Sequence, residues 1–134
     1  MKATELQIGD LIKIKGHLDY DKVQEIARDE NMQWYISFAC SATLFRAYEF
    51  EPIPLTPEIL EKNGFGFVKS SDKDTVWNGW WIYEDLELGT CCLNGDWPCF
   101  INIDDSNIKC EYVHQLQHAL RLCKLDELAD NFKV

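Results

Sequence analysis

The segment EPIPLTPEILEKNG, residues 51–64, separates two strand-rich halves of the chain and predicts a short helix between them. Thr56 is a suitable N-cap, because its side-chain oxygen can accept a hydrogen bond from an amide of the first turn. Pro57 suits the first helical position, and Gly64 readily adopts the left-handed conformation that often ends a helix. The segment therefore predicts a helical connector between two sheets.

The first half of the chain, residues 1–50, predicts a curled antiparallel sheet. Short runs of β-branched and aromatic residues alternate there with turn residues, and Ile12 and Ile14 alternate with polar lysines in the clearest run. Four short strands joined by tight turns are typical of a small barrel-like lobe. This is an analogy of fold and implies no function.

The second half, residues 51–134, predicts another small antiparallel sheet covered by a C-terminal helix. The aromatic run Val76–Tyr83 and the strand-like segment Leu86–Leu93 precede Asn94–Gly95, which is a strong hairpin signal. Residues 112–123 predict the helix, because apolar side chains recur there at the spacing of one helical face.

The predicted fold class is α+β, with the short helix that begins after Thr56 and ends at Asn63–Gly64 connecting the two sheets. We expect a single compact domain over residues 1–134, which can be divided into two lobes, residues 1–50 and residues 51–134. A chain of this length buries roughly two-thirds of its unfolded surface, so it needs neither disulfides nor a metal to fold.

Charge is distributed unevenly along the chain. The 134 residues carry a net charge of −10, with −2 in residues 1–50 and −8 in residues 51–134. An acidic field repels phosphate backbones and anionic membranes. We therefore expect no membrane partner and consider nucleic acid a weak candidate, most of all for the second half.

The six cysteines are expected to be reduced thiols of a cytoplasmic protein. Met1–Glu5 leads into a folded pattern without an apolar signal region, and no apolar run approaches the ~20 residues that span a bilayer. No glycine loop for phosphates, nucleophile elbow or dinucleotide motif is present. The sequence therefore predicts no cofactor and no enzymatic activity.

Cys110, His114 and His118 are weak candidates for a metal site, because their spacing would place them along one stripe of a continuous helix. Gln115 stands where a metalloprotease helix carries its catalytic glutamate, and Cys110 precedes the predicted helix. The alternative is that both histidines flank the apolar face and bond to backbone or solvent. A small metal-dependent enzyme at this helix is one alternative function.

Trp77, Trp80, Trp81 and Trp97 are the candidate ligand or partner surface. Alternate residues of a strand face opposite sides, so Trp80 and Trp81 should separate unless a bulge at Asn78–Gly79 resets the alternation. The alternative is that these rings fill the core, where each would bury ~150–250 Å².

Residues 11–22 contain the mildly basic cluster of the chain, formed by Lys13, Lys15, His17 and Lys22. Nucleic-acid binding through this lobe is the second alternative function, although acidic residues at positions 10, 19 and 21 dilute the positive charge.

Three segments together resemble a family of uncharacterised small proteins from gut anaerobic bacteria, often encoded near phage-like genes. They are Lys2–Asp10, Glu51–Phe65 and Tyr112–Cys123. The family commonly has glycine after the Leu-Cys that ends the helix, whereas Lys124 stands here. The resemblance implies an intracellular setting and no catalytic residues.

The leading functional prediction is a non-enzymatic interaction module, as in an accessory protein of a phage or mobile element. Such a module would bind another protein through a sheet edge or through the aromatic patch. The sequence does not fix the oligomeric state.

Overall fold

A computed structural model describes residues 1–39, 41–46, 48–71, 77–90, 99–103 and 106–134. The fold is α+β, as predicted, with two antiparallel sheets of five strands and a few helices. Among these residues, no helix combines the length and the apolar character needed to cross a membrane.

The first sheet is a meander whose fifth strand returns beside the first. Its strands are β1 (Leu11–Ile14), β2 (Tyr20–Arg28), β3 (Trp34–Phe38), β4 (Ser41–Arg46) and β5 (Phe50–Glu51), in the order β4-β3-β2-β1-β5. A register shift between Val23 and Glu25 and another between Ser37 and Phe38 bend the sheet, because an unpaired residue increases the local twist.

The first sheet is open, so the predicted barrel-like closure is not observed. The two edges are β4 and β5, and β5 has only two residues, which pair with Lys13 and Ile14 of β1. A strand of only two residues has few backbone groups with which to pair a second strand, as closure into a barrel would require.

The second sheet is an up-and-down meander in which every strand pairs with its neighbour in the sequence. Its strands are β6 (Gly66–Lys69), β7 (Gly79–Tyr83), β8 (Leu86–Thr90), β9 (Cys99–Ile103) and β10 (Ser106–Cys110), in the order β10-β9-β8-β7-β6. The predicted pairing of Leu86–Leu93 with Cys99–Ile103 is confirmed for β8 and β9. Its turn, Asn94–Gly95, lies outside the described residues.

Three α-helices and one 3₁₀ turn complete the described part of the fold. They are the 3₁₀ turn Ala3–Glu5, α1 (Pro57–Lys62), α2 (Val113–Leu122) and α3 (Asp126–Asp130). The side chain of Thr56 accepts a hydrogen bond from the Ile59 amide at 3.3 Å, which confirms the predicted N-cap of α1. The Gln115 side chain accepts from the Tyr112 amide at 3.1 Å and so caps α2.

The buried side chains among the described residues form two clusters. The smaller cluster lies on the first sheet around Ile12, Ile36 and Phe38. The larger cluster joins the second sheet to the helices, and Leu11 of β1 belongs to it. The two halves therefore share apolar contacts through β1, while their division into lobes stays a prediction.

Candidate functional site

The second sheet separates its aromatic side chains onto two faces. Strand register aligns Phe67, Trp81, Leu88, Ile101 and Ile108 in one row across all five strands. The three central residues of this row are at most 3% exposed and pack in the same cluster as α2. We call this side the inner face.

The neighbouring row lies on the opposite side, which we call the outer face. It consists of Val68, Trp80, Gly89, Phe100 and Lys109. Trp80 and Phe100 are partly exposed, in contrast to the buried centre of the inner row, and Val68 is 50% exposed. The two end residues of the inner row, Phe67 and Ile108, are themselves 36% and 42% exposed. The predicted separation of Trp80 from Trp81 follows from the strand alternation.

Trp77 precedes β7 and fills the gap that Gly89 leaves in the outer row. A Cβ atom on Gly89 would lie 2.6 Å from Cε3 of Trp77, so the indole ring lies directly over this glycine. The ring of Trp77 meets that of Phe100 edge to face, with centroids 5.9 Å apart. Because Gly89 stands between Trp80 and Phe100 in the row, the ring of Trp77 occupies the space between these two aromatic side chains.

These rings line an open cavity of about 440 Å³, which we call the aromatic hollow. Its lining residues include Trp77, Trp80, Phe100, Asp85, Glu87 and Cys123. Asp85 belongs to the two-residue turn between β7 and β8, where Glu84 has a left-handed φ of 51°. Glu87 lies on β8 opposite Ile82, on the outer face. Both carboxylates are exposed.

Among the described residues, the charged side chains that line the aromatic hollow are both acidic, Asp85 and Glu87. Lys109 lies at the far end of the outer row, and its ammonium group is 2.7 Å from a carboxylate oxygen of Glu111. The lysine of the outer row is thus already paired with an acidic side chain. Lys109 is therefore not the counterion of Asp85 and Glu87, which are exposed beside the rings.

The predicted metal candidates do not form one cluster. Cys110 ends β10 and lies before α2, so it does not share the helical stripe of His114 and His118. Burial raises the pKa of the Cys110 thiol to about 12, which keeps it protonated. Within the described part of the chain, no three His, Cys, Asp or Glu side chains are arranged to hold a metal ion.

His118 instead joins a buried ionic cluster between the two halves. The carboxylate of Asp10 is fully buried and lies 2.6 Å from Nε2 of His118 and 2.7 Å from Nη1 of Arg121. It also accepts a hydrogen bond from the Gln7 amide at 2.7 Å. These three contacts provide hydrogen-bond partners for both carboxylate oxygens of Asp10, whose charge would otherwise be costly to bury.

His114 is buried next to this cluster, with 4% of its surface exposed. Its ring stacks on that of Tyr112 and meets that of His118 edge to face, and its Nδ1 atom has no hydrogen-bond partner among the described residues. Burial lowers the pKa of His114, and the nearby charge of Asp10 partly opposes this shift. The imidazole of His114 is thus enclosed and held largely in its neutral form, and it packs between the rings of Tyr112 and His118.

Gln117 makes a second polar connection between the halves. Its fully buried side chain accepts from the Leu11 amide at 2.9 Å and donates to the carbonyls of Gly9 and Ala129 at 3.2 and 2.9 Å. Three backbone groups from two distant segments are thus satisfied by one amide.

The basic cluster of residues 11–22 is partly neutralised. The ammonium group of Lys13 lies 3.6 Å from Glu51, and that of Lys22 donates to the carbonyl of Asp130. These contacts reduce the positive charge available for a phosphate backbone. Nucleic-acid binding through this lobe stays a prediction.

Sequence reasoning identified Trp77 and Trp80 as surface candidates but missed the residues that complete the hollow. Phe100, Gly89, Asp85 and Glu87 come from other strands and turns, and no spacing within one segment relates them to the tryptophans. Trp81 belongs to the core, and Trp97 lies outside the described residues.

Comparison with known proteins adds no family assignment: no family model matches the chain, and neither the curated proteins nor the solved structures gave a match. The resemblance to proteins of gut anaerobic bacteria, the phage association and the cytoplasmic location stay predictions from the sequence.

Proposed function

We propose that the protein is a non-enzymatic interaction module that binds a protein partner through the outer face of its second sheet. The observation that carries this proposal is that Trp77, Trp80 and Phe100 are all partly exposed and line one cavity. Tryptophan is strongly enriched among the residues that dominate binding energy at protein interfaces.

The contrast between the two faces supports the proposal. The helices pack on the inner face and bury Trp81, whereas Trp80, one residue earlier, keeps part of its ring in water. Apolar surface that stays in water does not contribute the stabilising free energy of burial, which is about 25 cal/mol per Å². The partly exposed aromatic side chains of the outer face therefore cost folding free energy that burial by a partner would recover.

The outer row also reaches an edge of the sheet. Strand β6 is an edge strand, and its Val68 continues the apolar surface of Trp80 to that edge. A partner that rests on the rings can therefore also reach the backbone groups of β6, which is a recurring mode of peptide recognition.

Selection of ligands from a random-peptide display library, followed by affinity measurement on the full chain, tests the proposal. We expect the selected peptides to lose at least about tenfold in affinity on Trp80→Ala, since aromatic residues at interface centres have effects of this size. Tyr48→Ala is the matched control, because Tyr48 is 71% exposed on the other half of the chain.

We expect Trp80→Ala to weaken peptide binding and Tyr48→Ala to leave it unchanged. Selected peptides that bind Trp80→Ala as tightly as the unmodified protein would overturn the proposal. Circular dichroism and thermal unfolding of both variants establish that a loss of binding does not come from a loss of fold.

A further inference from the structure

Resting on that proposed function, we propose that the aromatic hollow accepts a cationic side chain, arginine or lysine, of the protein partner. Three aromatic rings and two carboxylates line the same cavity, and these groups attract a cation by two different mechanisms. The proposal therefore names the chemistry of the group that binds at the centre of the outer face.

The rings provide the first attraction. The electron-rich face of a tryptophan attracts a guanidinium or ammonium group within about 6 Å of the ring centroid. Trp77 and Trp80 supply two indole rings to the hollow, and Gly89 allows the first of them to lie against the sheet. The same protein already contains this contact, because Arg28 stacks over the ring of Trp34 at 4.3 Å.

The carboxylates provide the second attraction. Asp85 and Glu87 are exposed at the hollow, and the hairpin turn between Tyr83 and Leu86 holds Asp85 next to the end of the sheet. Glu111 pairs with Lys109, so this lysine is engaged away from the two carboxylates. The planar guanidinium group of arginine can stack on a ring and hydrogen-bond to a carboxylate at once.

The charge of the chain favours the same occupant. Residues 51–134, which contain the hollow, carry most of the net charge of −10. A negative field of this kind speeds association with a cationic partner and repels an anionic one. An acidic peptide segment is therefore a poor occupant, although it too could offer apolar side chains.

Titration of short peptides into the full ¹⁵N-labelled chain tests the inference, with the indole N–H signals of Trp77 and Trp80 as the readout. The probes are three peptides that differ at one central position, which is arginine, lysine or citrulline. Citrulline has the shape of arginine without its charge. We expect the arginine and lysine peptides to shift both indole signals, and the citrulline peptide to bind at least about threefold more weakly.

Removing one carboxylate of the hollow from the protein tests the same attraction from the other side. Glu87→Gln should weaken binding of the arginine peptide about two- to fivefold, and a rise in salt concentration should weaken it further. Glu25→Gln is the control, since Glu25 is exposed on the first sheet. It should leave the affinity unchanged.

The outcomes separate this inference from the proposed function. If peptides selected from the library depend on Trp80 but bind equally well with arginine and with citrulline, the cationic occupant is wrong and the interaction surface stands. If no selected peptide depends on Trp80, both proposals are wrong.

Discussion

The carboxylate oxygen Oδ2 of Asp10 lies 2.6 Å from Nε2 of His118, although 108 residues separate them in the sequence. Arg121, one turn further along α2, approaches the other carboxylate oxygen at 2.7 Å. The turn before β1 is therefore held on α2 by ionic hydrogen bonds, in addition to the apolar contacts of Leu11.

Asp10→Asn should destabilise the protein by about 3 kcal/mol, because the partly buried guanidinium group of Arg121 loses the nearer of its two carboxylates and keeps only Asp130, at 3.8 Å. Urea unfolding followed by circular dichroism measures the change. Asp19→Asn is the control at an exposed position of the same half, and it should stay within about 0.5 kcal/mol. Equal effects of the two substitutions would contradict this role of Asp10.

Gln117→Met, which keeps the length of the side chain, should cost about 2–4 kcal/mol, because the Leu11 amide and two carbonyls lose their partner in the interior. The Leu11 amide should also exchange its hydrogen faster. Gln24→Met, at an exposed position of β2, is the matched control. A slow Leu11 amide in the Gln117 variant would show that another group holds it.

His114 should make the protein less stable in acid. Because its pKa in the folded state lies below the value of about 6.5 in an unfolded chain, the unfolded state binds the proton first. The free energy of unfolding should therefore fall as the pH drops from about 7 towards the folded pKa. His114→Gln should flatten this part of the pH profile, and a histidine NMR titration should give a lowered pKa; a profile unchanged by the substitution would contradict the assignment.

Gly89→Ala should disturb the aromatic hollow, because the added Cβ atom would meet the Trp77 ring at 2.6 Å. We expect a loss of about 1–3 kcal/mol and a change in tryptophan fluorescence as the ring moves. Gly66→Ala is the matched control on β6, since nothing lies within 4 Å of its added Cβ atom. A stable variant with unchanged fluorescence would place the Trp77 ring elsewhere.

Two of the thiols should react at very different rates. Cys123 is exposed, whereas Cys110 is buried with a pKa of about 12, and only the thiolate reacts readily. Iodoacetamide at pH 8 should alkylate Cys123 in the folded protein and Cys110 only after unfolding, as peptide mass spectrometry can show. Alkylation of both at similar rates would mean that Cys110 is accessible.

Features that depend on neighbouring residues were predictable from the sequence. Thr56 and Pro57 mark the start of α1, because capping involves groups only three residues apart. The opposite faces of Trp80 and Trp81 follow from the alternation of side chains along a strand. The helix predicted over residues 112–123 is confirmed as Val113–Leu122, with Tyr112 as its N-cap.

Features that depend on distant residues were not predictable. Gly9–Asp10 has the pattern of an ordinary turn, and nothing near it in the sequence indicates that Asp10 is buried against His118 and Arg121. The ring of Trp77 over Gly89 likewise joins two segments whose meeting depends on strand register. A single sequence contains no local signal for either contact.

The polar links made by Gln117 also constrain the order of events during synthesis. The ribosome makes the first sheet early, but the side chain that satisfies the Leu11 amide emerges 106 residues later. Until residues 117–121 have been made, the nascent chain lacks the side chains that bind Asp10 and the Leu11 amide in the folded protein. The first half can thus form strands as it is translated, yet its final packing has to wait for α2.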